Sequence, residues 1–93
     1  MSESIPVLVT TAHRGVFFGY TDKEKIGEPS ITLTNCRNCI YWCAEVGGFL
    51  GLAANGPVDG CKIGTIAPLP VLLRDITSVS HVTEKAAKSW MEF

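Results

Sequence analysis

The chain has 93 residues, of which 46% are hydrophobic and 18% are charged, and its formal net charge is −1. This length predicts a single domain over residues 1–93, and the apolar content excludes intrinsic disorder. The balanced charge argues against a general duplex-binding protein, which usually carries a large basic excess. The high apolar fraction also favours a homo-oligomer that hides part of its hydrophobic surface.

The first third of the chain predicts three strands joined by turns. Residues 5–11 are β-branched and apolar, which favours a strand, and a tight turn at 12–15 joins it to a second strand at 16–21. The charged segment 22–29 is interpreted as the solvated tip of a second hairpin. Residues 30–34 then alternate as a third strand, with Ile31 and Leu33 directed inward.

The middle of the chain is glycine-rich, since all nine glycines lie between Gly15 and Gly64. Residues 40–42 favour a strand over a helix. Residues 47–55 predict either a short helix or a loop, because three glycines weaken an isolated helix. A turn at 57–60, a strand at 61–66 and a break at 67–70 follow.

The last part of the chain predicts a long strand and a helix. Residues 71–82 have strand character, with a bulge or sharp bend near 75–76 where the alternation slips. Thr83 has the character of an N-cap for a helix over 84–91, whose apolar face would contain Ala86, Ala87, Trp90 and Met91. The predicted fold is therefore α+β: a mainly antiparallel, bent sheet of about five or six strands with a C-terminal helix.

Four cysteines leave two interpretations open. Cys36, Cys39, Cys43 and Cys61 could be small, reduced core residues, or they could supply four thiolates to a zinc-stabilised interaction domain. On a helix, residues 36, 39 and 43 would share one face, whereas on a strand residue 36 would lie opposite the other two. Reduced core thiols are favoured, and no cofactor is expected.

Catalytic motifs are missing from the sequence, so we expect a non-enzymatic protein. His13 and His81 lie outside any recognisable nucleophile or metal motif, and the glycines at 47–51 lack the Gly-Lys-Ser/Thr ending of a phosphate loop.

A ligand-binding function has more support than catalysis, because aromatic faces stack on nucleobases and arginine forks bind phosphates. Six of the eight aromatic residues fall between positions 17 and 49: Phe17, Phe18, Tyr20, Tyr41, Trp42 and Phe49. The basic side chains nearest to them at turns or strand ends are Arg14, Arg37, Lys62 and Arg74.

Several short strings spread over residues 7–90 carry a family resemblance. They are Gly15-Val16-Phe17-Phe18-Gly19, Asn35-Cys36-Arg37, Tyr41-Trp42, Leu50-x-Leu52-Ala53, Gly56, Cys61-Lys62 and Val82-Thr83-Glu84-Lys85-Ala86 with Trp90. Together they resemble small proteins of tailed phages and prophages whose function is unknown. This group is similar to the Thoeris anti-defence proteins of the first type, which sequester cyclic ADP-ribose isomers and in some cases cyclic oligonucleotides.

The resemblance implies a phage-encoded sponge that captures a cyclic nucleotide messenger and so blocks host defence. It also implies an oligomer whose subunits share pockets. Phe49, Asn55, Gly60 and Lys62 match the stretch nearest the family's ligand contacts, although Gly60 stands where sponge relatives carry a polar residue. With Arg14, Arg37 and Trp42 from the aromatic and basic pattern, these residues form the predicted ligand site.

The expected location is the cytoplasm, that of the host cell if the protein is phage-encoded. The first residues lack the basic region of a signal peptide, and no uncharged stretch approaches the ~20 apolar residues of a membrane helix. The alternative function is a structural or protein-interaction module of a phage, which zinc bound by the four cysteines could stabilise.

Overall fold

The computed structural model describes residues 4–12, 15–42 and 44–93 and has an α+β fold, as the sequence predicts. Two helices and two 3₁₀ turns accompany the strands, the turns at Lys23–Lys25 and Ala44–Val46. The strands are β1 (Ser4–Thr11), β2 (Val16–Asp22), β3 (Ile31–Tyr41), β4 (Lys62–Ile63), β5 (Val71–Leu73) and β6 (Ile76–His81), and the helices are α1 (Gly48–Asn55) and α2 (Glu84–Glu92).

The strands form one antiparallel sheet in the order β4-β3-β2-β1-β6, and β5 pairs with β3. β5 and β6 are separated by two residues, yet β5 pairs with β3 whereas β6 pairs with β1. The pairing therefore runs in a ring through β1, β2, β3 and the bent β5–β6 segment. Asp75 forms the corner with a left-handed φ of 56°, which confirms the bend predicted near residues 75–76.

β3 is a single strand of 11 residues that joins the predicted strands at 30–34 and 40–42. Its pairing with β2 shifts register between Phe18 and Tyr20, and Asn35 has a left-handed φ of 52°. This irregularity shifts the alternation of side chains between the two faces of the sheet. Leu33 and Cys36 are three residues apart, yet both are buried on the same side.

The core has two layers, one on each side of the sheet. The helix-covered layer contains Leu8, Phe18 and Trp90, with the Phe18 and Trp90 rings stacked at a centroid distance of 5.1 Å. The opposite layer contains Val7 and Val9 together with residues of β3 and β5. β1 is therefore buried on both faces, which explains why it has an uninterrupted apolar run rather than an alternating pattern.

The two helices are connected through the N-cap of α2. The Thr83 hydroxyl accepts a hydrogen bond from the Ala86 N–H at 3.0 Å, and it donates one to the Ala54 carbonyl of α1 at 2.7 Å. The predicted cap is confirmed, and the predicted apolar face of α2 packs inward. Of the two alternatives for residues 47–55 the structure has the helix, whose weak intrinsic propensity is compensated by packing against α2.

The strand predicted at 61–66 is wrong in extent, because only Lys62–Ile63 pairs as a strand. Beyond it the chain follows β3 irregularly, with the Gly64 N–H donating to the Asn38 carbonyl at 2.8 Å and the Ala67 N–H to the Cys36 carbonyl at 2.8 Å. The predicted strand at 71–82 is likewise divided into β5 and β6 by the corner at Asp75. Within the described ranges, no helix is long and apolar enough to span a membrane.

Candidate functional site

Three of the predicted ligand residues lie in the part of the chain that runs from the end of β3 through α1 to β4. Trp42 follows β3 directly, Phe49 is in the first turn of α1, and Lys62 begins β4 and pairs with Tyr41. The rings of Trp42 and Phe49 are half-buried and pack against the helix-covered core layer, whereas Lys62 is exposed. We call Trp42, Phe49 and Lys62 the aromatic end.

The amino end of α1 also lies at the aromatic end. Gly47 and Gly48 have left-handed φ values of 84° and 76°, a conformation that side chains rarely adopt, and Gly47 has no side chain with which to cap the helix. The amino end of a helix carries partial positive charge on its backbone N–H groups, which favours anions. Glu45 in the preceding turn contributes negative charge nearby.

The structure places Arg37 inside the protein, away from a solvent-facing phosphate site. The residue is only 9% exposed. Its Nε donates to the Gly64 carbonyl at 2.7 Å, and its Nη1 donates to the Trp90 carbonyl at 2.7 Å. Trp90 lies in the last turn of α2, where carbonyls lack helical partners and the dipole favours a cation. Arg37 therefore connects β3, the chain after β4 and the end of α2.

The remaining predicted ligand residues are dispersed. Asn55 is exposed at the far end of α1, roughly 9 Å along the helix axis from Phe49, and its Oδ1 accepts a hydrogen bond from Lys85 Nζ at 3.3 Å. Gly60 is exposed in the turn before Cys61, with a φ of 101°. Arg14 lies outside the described residues.

The structure also has a cleft that the sequence analysis missed, at the end of the hairpin formed by β2 and β3. It has a volume of about 300 Å³ and is lined by Thr21, Asp22, Glu28, Ser30, Ile31 and Thr32. Two carboxylates and three hydroxyls make it unsuited to a phosphate. The signal in the sequence was the charged segment 22–29, which contains Asp22 and Glu28 and is interpreted above only as a solvated turn.

The cysteines are divided between the two core layers. Cys36 is in the layer with Val7 and Val9, whereas Cys39 and Cys61 face the helices. This is the arrangement predicted for a strand, and it separates Cys36 from the other two thiols. Among the described residues, no three His, Cys, Asp or Glu side chains are grouped so as to hold a metal ion. Cys43, the fourth member of the predicted zinc set, is outside the described residues.

Burial controls the chemistry of two of these thiols. It raises the pKa of the Cys36 thiol from 9.0 to about 11. Burial likewise raises the pKa of Cys39 to about 11, with a further upward contribution from nearby Cys61 and an opposing hydrogen bond from the Tyr41 backbone. Both thiols are therefore protonated at neutral pH and are weak nucleophiles.

The chain belongs to the family described as a domain of unknown function (DUF6948), whose model matches residues 4–90. The match covers every strand of the sheet and reaches Trp90 in the last turn of α2. Comparison with curated proteins and with solved structures gave no match.

Proposed function

We propose that this protein is a non-enzymatic binding protein that captures a small, negatively charged nucleotide at the aromatic end. The observation that carries the proposal is the half-buried state of Trp42 and Phe49, whose rings pack on the same core layer, together with the exposed Lys62, which pairs with the residue before Trp42. Aromatic rings that are partly open can stack on a nucleobase, which contributes about 1–3 kcal/mol per base. The lysine ammonium supplies a full positive charge for a phosphate, and the amino end of α1 supplies a partial one.

The proposed mechanism is stoichiometric capture. The protein holds its ligand unchanged, so the free ligand concentration falls when the protein concentration exceeds the dissociation constant. The narrower proposal, a cytoplasmic phage sponge for a cyclic ADP-ribose isomer or a cyclic oligonucleotide, rests on the residue strings that resemble Thoeris anti-defence proteins. In that setting a homo-oligomer would complete each site with residues from a second subunit.

Titration calorimetry with cyclic ADP-ribose isomers and cyclic dinucleotides tests the proposal, with NAD⁺ and ATP as linear comparisons. We expect at least one cyclic nucleotide to bind and to be recovered intact after heat denaturation of the complex. Phe49→Leu and Trp42→Leu keep an apolar side chain but remove the stacking surface, so each should weaken binding by roughly tenfold or more.

A pair of lysine variants provides the matched control. Lys62→Gln removes the charge at the aromatic end, whereas Lys88→Gln removes an equally exposed charge from α2. Only Lys62→Gln should weaken binding. Equal effects from the two variants, or no binding by any of the nucleotides, would contradict the proposal, and recovery of a chemically altered nucleotide would indicate an enzyme.

A second candidate is a protein-interaction module, which exposed apolar side chains favour. Ile40 and Tyr41 at the end of β3 are 64% and 56% exposed, and Leu50 on α1 is 72% exposed. Large apolar side chains in such positions are typical of surfaces that bind another protein. Under this candidate Ile40→Ser and Leu50→Ser would abolish association in sedimentation experiments, while the nucleotides would show no binding.

A further inference from the structure

Cys39 lies in β3, and Cys61 immediately precedes β4, the short strand that pairs with this part of β3 through a shifted register. Cys39 pairs directly with Ile63, and Cys61 precedes Ile63 by two residues, so both cysteines face the same side of the sheet. Both belong to the helix-covered core layer. Diagonal neighbours in an antiparallel pair are about 7–8 Å apart between Cα atoms, with their side chains somewhat closer.

Cys61 follows a tight turn rather than a longer stretch of regular strand. Its N–H donates to the Val58 carbonyl at 3.0 Å, and Gly60 in that turn has a left-handed φ of 101°. A disulfide requires Cα atoms about 4.4–6.8 Å apart, so closure from the usual diagonal spacing needs a displacement of roughly 1 Å. Cys39 is half-buried and therefore accessible to a small reagent, and both thiols are free.

We infer that Cys39 and Cys61 are a redox-responsive pair that closes into an intramolecular disulfide with a low-molecular-weight disulfide such as glutathione disulfide. Burial keeps Cys39 mainly protonated at neutral pH, so only its small thiolate fraction attacks glutathione disulfide, and closure is slow and accelerates as the pH rises. The attack on one sulfur of glutathione disulfide forms a mixed disulfide and releases one glutathione thiolate. The Cys61 thiolate then attacks the Cys39 sulfur and releases the second glutathione. The protein loses two electrons and two protons, and one glutathione disulfide becomes two glutathione thiols.

The cross-link would constrain the segment that contains α1. β4 has only two residues, and the chain between Cys39 and Cys61 carries α1 with Trp42 and Phe49. A disulfide would replace this weak strand pairing with a covalent bond. Because the pair must shift to close, the bond should be strained and readily reduced, which is the property of a reversible disulfide. The inference does not depend on the proposed nucleotide.

The test is oxidation of the native full-length protein with glutathione disulfide, followed by alkylation, proteolysis and mass spectrometry. We expect two thiols per chain to disappear, a Cys39–Cys61 cross-linked peptide within single chains, and a higher melting temperature that dithiothreitol reverses. Cys36→Ala, which changes a thiol on the opposite core layer, should retain the cross-link. Cys61→Ser should leave Cys39 as a mixed disulfide with glutathione.

Three results would overturn the inference. They are retention of all four thiols in the native protein, a mixed disulfide on Cys39 that never resolves onto Cys61, and a cross-link that joins Cys39 to another cysteine or to a second chain. The first measurement uses no variant, so it remains decisive even if Cys61→Ser fails to fold.

Discussion

Replacing Arg37 with methionine tests whether this buried cation holds the fold together. Methionine keeps an unbranched apolar side chain but removes the guanidinium, so the Gly64 and Trp90 carbonyls both lose a donor at 2.7 Å. The change leaves the exposed residues of the aromatic end untouched. Stability and ligand binding can therefore be separated in one variant.

The expected loss follows from two hydrogen bonds with a charged donor. Such bonds contribute about 1.5–3 kcal/mol each, and buried carbonyls left without a donor cost more than exposed ones. Removing a buried charge also relieves its desolvation cost, which offsets part of the loss. We expect Arg37→Met to lower the free energy of unfolding by about 3 kcal/mol, or the melting temperature by about 12–24 °C for a chain of this size.

Urea unfolding followed by tryptophan fluorescence measures the effect, because Trp90 is stacked on Phe18 next to the affected carbonyl. Arg37→Lys is the control, since a lysine keeps the charge and can reach only one carbonyl. It should lose about half as much stability. An Arg37→Met protein within about 0.5 kcal/mol of the native one would refute the structural role. If its nucleotide affinity fell instead, Arg37 would be a ligand residue.

Three further changes have defined outcomes in unfolding experiments. Gly51→Ala should destabilise the protein by more than about 1 kcal/mol, because the new methyl group would overlap the Val46 carbonyl. Alanine has the better helix propensity, so an increase in stability would contradict this packing. Thr83→Ala should cost about 1–2 kcal/mol, since the hydroxyl both caps α2 and donates to α1; Thr83→Ser is the control that retains both bonds. Burial in the folded state raises the pKa of the Cys36 thiol from 9.0 to about 11. The contribution of this thiol to the free energy of unfolding is therefore fully present below pH 9 and is lost as the pH rises from 9 to 11. The loss should reach about 2–3 kcal/mol for this thiol, and the Cys36→Ala variant should show a correspondingly smaller alkaline loss than the native protein.

Elements with strong local signals were predicted well. The β1–β2 hairpin was predictable from an apolar, β-branched run followed by a turn, and α2 from its N-cap and apolar face. The bend at Asp75 was also predictable, because the alternation of buried and exposed residues slips there. In each case the residues that determine the structure are close together in sequence.

Features that depend on distant residues were not predictable. β3 is one strand because β2, β4 and β5 all pair with it, and the bulge at Asn35 obscures its alternation. α1 is a helix because it packs on α2, which the glycines at 47, 48 and 51 do not suggest. The position of Arg37 was missed for the same reason: its two acceptors are 27 and 53 residues away in the chain.

The position of Arg37 changes which residues can meet an anionic ligand. With its guanidinium committed to two carbonyls, positive charge at the proposed site must come from Lys62 and the amino end of α1. Neither group is part of the buried hydrogen-bond network, so a ligand could engage them without breaking the contacts that stabilise the fold. The proposed site therefore predicts opposite behaviour for the two residues: Lys62→Gln should lose affinity at unchanged stability, whereas Arg37→Lys should lose stability at unchanged affinity wherever the protein remains folded.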